Sequence, residues 1–517
     1  MFANQTNYEN TDIIQGVVYS TANDTNITNE KPTIATPNYD YTVMFPKWKM
    51  INTLIGGTDA MRCAGRKYLL PHLYESDDNY ETRRKKAVLK NYTKRTLENL
   101  VSKAFKDAPY FTDATNEEIK KLTTNIDLQG NALSIFLRKW FESGLKYGYT
   151  FCIIDFNKTS NSNFNTAADE LGNNVRPYWR ILDPIDVTYT RYENYNGVQT
   201  LVELRIKEVS KSTIDYIDTY TNYIRVLVPG KWILFQEDST NKNKWNKVDE
   251  GTFDLDYIPV VLFSTDLMNG CLICNPPLED LAYVNIAHFQ SASDQQTILT
   301  VTRFPILAVS GAQVGSDSEI VIGPNKWLSS ADPQSRIYYV EHKGDAINAG
   351  RQDLEDLEDQ MASYGSEFLR KRPGSSAATG RVLDSAEAIA PLVAWGLMFK
   401  EAVNQAMKVT ADWFGVKLTG ECNFDVKPDI EVGENNELQL LTTTRDRRDI
   451  SRKAFLKELV RRDILTPDYD IEKDQKEIDN EPINILNNTP GPGSGNSPMG
   501  GKTGRDRTSG EPPINQT

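Results

Sequence analysis

The chain has 517 residues, too many for one hydrophobic core, so about two to four domains are expected. Its 71 acidic residues outnumber 58 basic ones, and a net charge of −13 argues against a protein that grips DNA by its phosphates. No window of about 18 consecutive apolar residues offers a transmembrane helix, and Met1-Phe-Ala-Asn-Gln-Thr-Asn lacks the basic and apolar regions of a secretory signal.

Residues 1–37, rich in Asn and Thr, hold too little apolar surface to fold alone and read as a flexible N-terminal arm. From Tyr39 to about Phe141 the pattern is helical. Trp48, Ile51 and Leu54 recur on one face before Gly56-Gly57 breaks the run. A charged helix is expected over Asn79–Ala104. Its Arg83-Arg84-Lys85-Lys86 run suggests nucleic acid at first sight. Ala87, Leu89, Tyr92, Leu97 and Val101 supply a buried stripe, however, which makes the basic run its solvated face. Asn131–Lys146 is a further amphipathic helix, marked by Leu133, Phe136, Leu137, Trp140 and Leu145.

From Tyr149 to about Ser264 the period becomes two. Thr150–Asp155 is a short apolar strand, and Val202, Leu204 and Ile206 alternate with charged residues. Ile224, Val226 and Val228 alternate likewise, and Pro229-Gly230 turns the chain into Trp232–Phe235 as a hairpin. Ile258–Phe263 closes this β-rich part.

Next come helix, small β insert, helix, small-residue loop and long helix. Pro276-Pro277 starts a helix that runs to Thr302. Its stripe of Leu278, Ala282, Ile286, Phe289 and Ala292 thins towards the end. Asn285, Gln290, Ser291, Ser293, Asp294, Gln295 and Gln296 leave it much polar surface, which suits packing against neighbours in a ring. Residues 303–350 form the insert, too poor in apolar residues for a core of its own. The second helix, 351–370, has Leu354, Leu357, Met361, Tyr364 and Phe368 on one side. Asp353, Glu355, Asp356, Glu358 and Asp359 make the rest acidic, as a solvated face or as a channel wall that repels phosphate. Lys371–Arg381 is a Gly/Ser/Ala loop with local positive charge. The last helix runs on to Gly415, with Ala388, Leu392, Trp395, Met398, Val403, Met407 and Trp413 on its buried side and Pro391 as a candidate kink site. Beyond an extended piece from Asn423, Leu438–Asp463 reads as helix, and residues 487–517 as a disordered Pro/Gly/Ser/Asn tail.

Two motifs are decoys. Gly500-Gly-Lys-Thr503 lacks the P-loop glycine at the required spacing, since Asn496 stands there, and no strand precedes it. Cys271-Leu-Ile-Cys274 lacks a second pair or histidines at ligand spacing, so a structural role is the simpler reading, with metal or redox as the alternative. The other cysteines, Cys63, Cys152 and Cys422, are scattered, which fits a reducing compartment. No cofactor, metal or catalytic residue is indicated.

Gly57-Thr-Asp-Ala-Met-Arg-Cys-Ala-Gly-Arg-Lys-Tyr-Leu-Leu-Pro71, Tyr80-Glu-Thr-Arg83, Gln290-Ser-Ala-Ser-Asp294 and Pro305-Ile-Leu-Ala-Val-Ser-Gly311 stand in an order that resembles the portal proteins of tailed bacteriophages. The likeness spans roughly residues 40–480 and rests on the order of these segments with the helix–insert–helix–loop–helix core.

The resemblance implies an α+β portal fold. Its α/β wing would span 38–275, its two-helix stem 276–302 and 351–370, and its small α/β clip 303–350. A tunnel loop would span 371–381, a long spine helix and return 382–424, and a helical crown 425–486. It implies a non-enzymatic homo-oligomer, usually of twelve subunits, at the portal vertex of a virion assembled in the host bacterial cytoplasm. Terminase would package double-stranded DNA through its channel, which later ejects it, and head–tail adaptor or tail proteins and the major capsid protein would dock on it. No membrane is involved. By the same resemblance Lys371, Arg372, Pro373, Gly374, Ser375, Ser376, Thr379 and Arg381 face the channel. Asp353, Asp356, Glu358 and Asp359 form an acidic channel wall, and Trp327, Tyr338 and Tyr339 serve partner docking in the clip. The alternative is a capsid-associated adaptor without its own channel.

Overall fold

Strand β2 (Tyr149–Phe156) has no solvent face over its first six residues. It is the middle strand of an antiparallel sheet, between β3 (Pro177–Leu182) and β9 (Val260–Ser264). Cys152 and Ile154 enter one core, while Tyr149, Phe151 and Ile153 enter a second on the opposite face. A continuous apolar run, rather than an alternating one, is what such a doubly covered strand requires.

The computed structural model describes residues 32–112, 117–156, 176–266, 271–303, 306–310, 334, 336–340, 344–366, 378–418, 420–424, 426, 441–447, 449–461, 464–465, 469, 471, 473–474 and 476. The fold is mixed helix and sheet, α+β as expected, and the chain divides into two units, Met1–Glu431 and Val432–Thr517.

In the first unit, helix α1 (Tyr39–Ile55) is capped by Asn38, whose side chain accepts from the Tyr41 amide at 2.9 Å. Trp48, Ile51 and Leu54 are buried, as their spacing indicates. Trp48 donates its indole N–H to the Tyr147 carbonyl at 3.0 Å, tying α1 to the second core. Ile51 and Leu54 enter a third core. The chain turns at Gly57, whose φ is +81°, into α2 (Gly57–Ala64).

The single helix expected over Asn79–Ala104 is two: α3 (Asp77–Lys86) and α4 (Tyr92–Ala104). Between them Ala87 and Leu89 are buried without being helical. Asn91 restarts the helix, its side chain accepting from the Lys94 amide at 2.9 Å. The basic run on α3 is not uniformly solvated: Arg83 is 5% exposed.

Strand β1 (Tyr110–Thr112) and α5 (Glu117–Thr123) lead to α6 (Leu133–Tyr147), which covers the first face of β2. Helix and sheet approach closely at Gly144, where a Cβ would stand 2.2 Å from Phe263 Cε1. Strands β4 (Val187–Tyr195), β5 (Val198–Ile214), β6 (Ile217–Val228), β7 (Lys231–Glu237) and β8 (Trp245–Thr252) form an antiparallel meander. Leu204, Ile206, Ile224 and Val226 are buried as their alternation indicates, and Pro229-Gly230 makes the expected hairpin.

Helix α7 (Glu279–Thr302) leads to β10 (Ile306–Ser310), which pairs antiparallel with β11 (Arg336–Val340), and then to α8 (Asp345–Ser366). Helix α8 starts six residues before the expected boundary. Ile347 continues the Leu354 stripe by two turns, so 345–350 belong to the helix and not to the insert. Helix α9 (Ala378–Phe414) likewise begins within the expected loop, so Thr379 and Arg381 are helical. Its later turns are buried: Leu392, Phe399, Val403 and Met407 lie in the first core. After α9, β12 (Glu421–Asn423) pairs with β1. Among the described residues no helix is long and apolar enough to cross a membrane.

In the second unit, residues 441–446 are helical and α10 is Arg452–Arg461. The one helix expected over Leu438–Asp463 is interrupted before Ser451, whose hydroxyl accepts from the Ala454 amide at 3.1 Å as a fresh cap. The decoy Gly500–Thr503 and the tail from 487 lie outside the described residues.

Candidate functional site

The α7–α8 hairpin is the element that the sequence singled out. At about 1.5 Å per residue α7 is some 36 Å long. Its apolar stripe ends near Phe289, as expected. The first turns beyond Phe289 are not simply solvated, because polar groups clasp α7 as far as Gln295.

Near its start, Glu279 pairs with Lys47 of α1 at 2.9 Å. Further along, Asn285 is wholly buried. Its Oδ1 accepts from the Thr93 amide and hydroxyl at 3.1 and 3.0 Å, and its Nδ2 donates to the Lys90 carbonyl at 2.9 Å. His288 Nε2 stands 3.3 Å from Glu358 Oε1 of α8, and Lys90 Nζ lies 2.5 Å from Glu358 Oε2. Gln290 donates to the Tyr68 carbonyl at 2.9 Å, and Ser291 to Asp353 at 2.5 Å. Gln295 donates to the Ile347 carbonyl at 3.0 Å, beside Gly350, where a Cβ would stand 2.1 Å from its Oε1. Asn285, Ser293 and Gln295, read in the sequence as polar surface, are therefore buried.

A cluster of charges gathers at Asp294. Its Oδ1 lies 3.2 Å from His72 Nε2 and 3.5 Å from Arg83 Nη1. Arg83 also grips Glu75 with two hydrogen bonds, 2.9 and 2.7 Å, and donates to the Leu70 carbonyl at 2.6 Å. This two-pronged hydrogen bond holds Glu75 below the usual carboxylate range. Glu358 is held low in the same way, by the Lys90 hydrogen bond first.

Burial pulls the His288 imidazole below its ordinary 6.5, with Glu358 opposing. The unfolded chain then takes up this proton first. Neutral His288 thus contributes stability that is present above about pH 6.5 and lost as pH falls. His288→Gln is expected to lessen the fall in unfolding free energy between about pH 7.5 and 5.5. Denaturant titrations at both pH values read the difference. An unchanged fall would mean that Glu358 fully compensates the charged ring.

Of the expected acidic wall, Asp356 and Asp359 are exposed, with Asp356 accepting from Gln352 at 3.0 Å. Glu358, by contrast, turns inward to Lys90 and His288, and Asp353 takes the Ser291 hydroxyl. Of the residues expected to dock partners, Tyr338 on β11 pairs with Ala308 and is half exposed, while Tyr339 pairs with Leu307. Trp327 and the loop residues Lys371, Arg372, Pro373, Gly374, Ser375 and Ser376 lie outside the described residues. Among the described residues no three His, Cys, Asp or Glu gather to hold a metal ion. Cys271 is exposed and Cys274 buried, both as free thiols, and burial pushes the Cys274 thiol up to about 12. Its sulfur packs on Gly148, consistent with the structural reading.

Residues 277–414, from the start of the hairpin to the end of α9, match a family described as a domain of unknown function, DUF4055. No curated protein matches the chain. Among solved structures, it is similar to a chain in the neck of an empty GTA particle computed with C6 symmetry. The identity is 9% and the TM-score 0.39, covering 74% of this chain and 94% of that one. A chain in the neck of the native GTA particle computed with C12 symmetry gives 10% and 0.38, covering 71% and 89%. A chain in the virion of the native gene transfer agent particle gives 10% and 0.35, covering 83% and 99%.

Proposed function

We propose that this protein is a virion structural protein of the portal kind, a subunit of a ring that encloses the channel for double-stranded DNA at one capsid vertex. The observation that carries this reading is the α7–α8 hairpin. One helix is clasped by polar groups from Glu279 to Gln295. The other is covered along one stripe only, Ile347, Leu354, Leu357 and Met361, and stays open elsewhere. A helix so largely bare in one copy is completed by neighbouring copies. The long α9 runs through the first core, which also takes in Leu281 and Met361 of the hairpin, as a spine does in the portal resemblance. The net charge of −13 suits a wall past which DNA slides. The reading assigns the chain no catalysis. By resemblance, its partners are terminase, head–tail adaptors and the major capsid protein.

The test is the mass and shape of the full chain on its own, by light scattering and negative-stain microscopy. Closed rings of about twelve 58.5 kDa subunits with a central hole are the expected result. A chain that closes into rings only on adding another virion protein would instead favour the adaptor without its own channel.

A further inference from the structure

We propose that the outer acidic ridge of α8 seats in a basic groove of the next copy of this chain, at the junction of α3 and α7. The inference rests on the ring reading and names the surfaces that would close it.

The groove has a volume of about 760 Å³. Val88, Leu299 and Leu354 give it an apolar lining, and Lys86 and Arg303 line it as well. Val88 is 59% exposed. Both cations are exposed, and neither has a carboxylate partner among the described residues. In a chain with 71 acids to 58 bases, two unpaired cations and no acid lining one groove are a local reversal of the overall charge.

The complementary surface lies on α8. At about 100° per residue, Glu355, Asp359 and Asp356 fall about 100°, 140° and 200° round the helix from Leu354. Leu354 lines the groove, so the ridge points away from it and cannot fill it within one copy. The ridge is exposed, and Asp359 has no cationic partner among the described residues. Two different patches that match each other make a head-to-tail contact, which closes into a ring when the rotation allows. The apolar lining favours a helix edge over a phosphate backbone, whose non-specific grip needs a broad field of cations. This assigns the ridge to a subunit contact in place of the channel wall expected from the sequence.

The experiment uses the full chain with exposed positions reversed in charge: Lys86→Glu with Arg303→Glu, then Asp356→Lys with Asp359→Lys, then all four together. Circular dichroism confirms that each variant folds, and light scattering with negative-stain microscopy reads assembly. Each pair alone should raise the concentration needed for rings on the order of tenfold or more, and the fourfold variant should restore it. Rings unaffected by either pair, or a fourfold variant that stays apart, would overturn the contact. So would loss of duplex-DNA retardation by the groove pair with rings intact, which would make DNA the occupant. A wild-type chain that never forms rings would overturn the ring reading as well. Wild-type rings indifferent to the substitutions would overturn this contact alone.

Discussion

Replacing Arg83 with alanine is expected to destabilise the first unit by about 3–5 kcal/mol at neutral pH, the range for stripping one partner from a buried ion pair. The Arg83 and Glu75 side chains are only 4% and 8% exposed. Removing the guanidinium leaves the Glu75 carboxylate in that setting with only the His72 amide, 3.0 Å away, and releases the Leu70 carbonyl. The effect also has a sign in pH. Glu75 is depressed in the folded chain, so its contribution is present above its ordinary 4.5 and lost as pH falls through the lower folded value. The gap between wild type and variant should therefore narrow on acidification below about 4.5. Denaturant unfolding at neutral and acid pH measures both. Lys85→Ala, two residues away and exposed, is the control, and should change stability by less than about 0.5 kcal/mol. Equal effects at the two positions would restore the solvated-face reading of the whole run.

Phe399→Ala should cost about 3–5 kcal/mol through the cavity it leaves. Phe399 is wholly buried, and its ring centroid lies 4.8 Å from Phe263, 5.1 Å from Phe141, 5.2 Å from Trp140 and 5.4 Å from Phe424. These four rings come from β9, α6 and the segment after β12, so one side chain of the spine joins three parts of the first core. Tryptophan fluorescence during urea unfolding is the readout, with Trp140 among the reporters. The neighbouring Leu397, 58% exposed, should tolerate alanine within about 0.5 kcal/mol. A Phe399 variant as stable as the Leu397 variant would show that the core collapses to fill the space.

Periodicity made the regular elements legible. Trp48, Ile51 and Leu54 on α1 and Leu204 and Ile206 on β5 stand where the pattern puts them, and α7, α8 and α9 follow in the expected order, α8 and α9 starting earlier than expected. Phe399 is absent from the stripe assigned to the spine, although Leu392, Phe399 and Val403 keep helical spacing. The break after α3 is hidden because Ala87 and Leu89 fit a helical stripe, while the visible signal is Asn91 as a cap. The clasp of the hairpin is illegible for a different reason. Asn285 meets Thr93, His288 meets Glu358 and Arg83 meets Asp294, and two of these pairs lie about 200 positions apart in the chain. A local pattern assigns such polar residues to water, because nothing nearby shows that they have partners. The acidic side of α8 is legible as charge, but which acids turn inward depends on Lys90, far upstream.

The strand buried on both sides has one further consequence. In a sheet with one wet face, a slip of one residue is resisted because it drives apolar groups into water. For β2 that penalty is weak, since both sides are dry over Tyr149–Ile154. Bulk must hold the alignment instead. Tyr149 and Phe151 face the side of α1, whereas Thr150 and Cys152 face the side where α6 presents Ser143 and Gly144. A shifted strand would press two aromatic rings against the closest approach of helix and sheet and leave the opposite side underfilled. Side-chain volume, not wetness, thus keeps this strand in step with its neighbours.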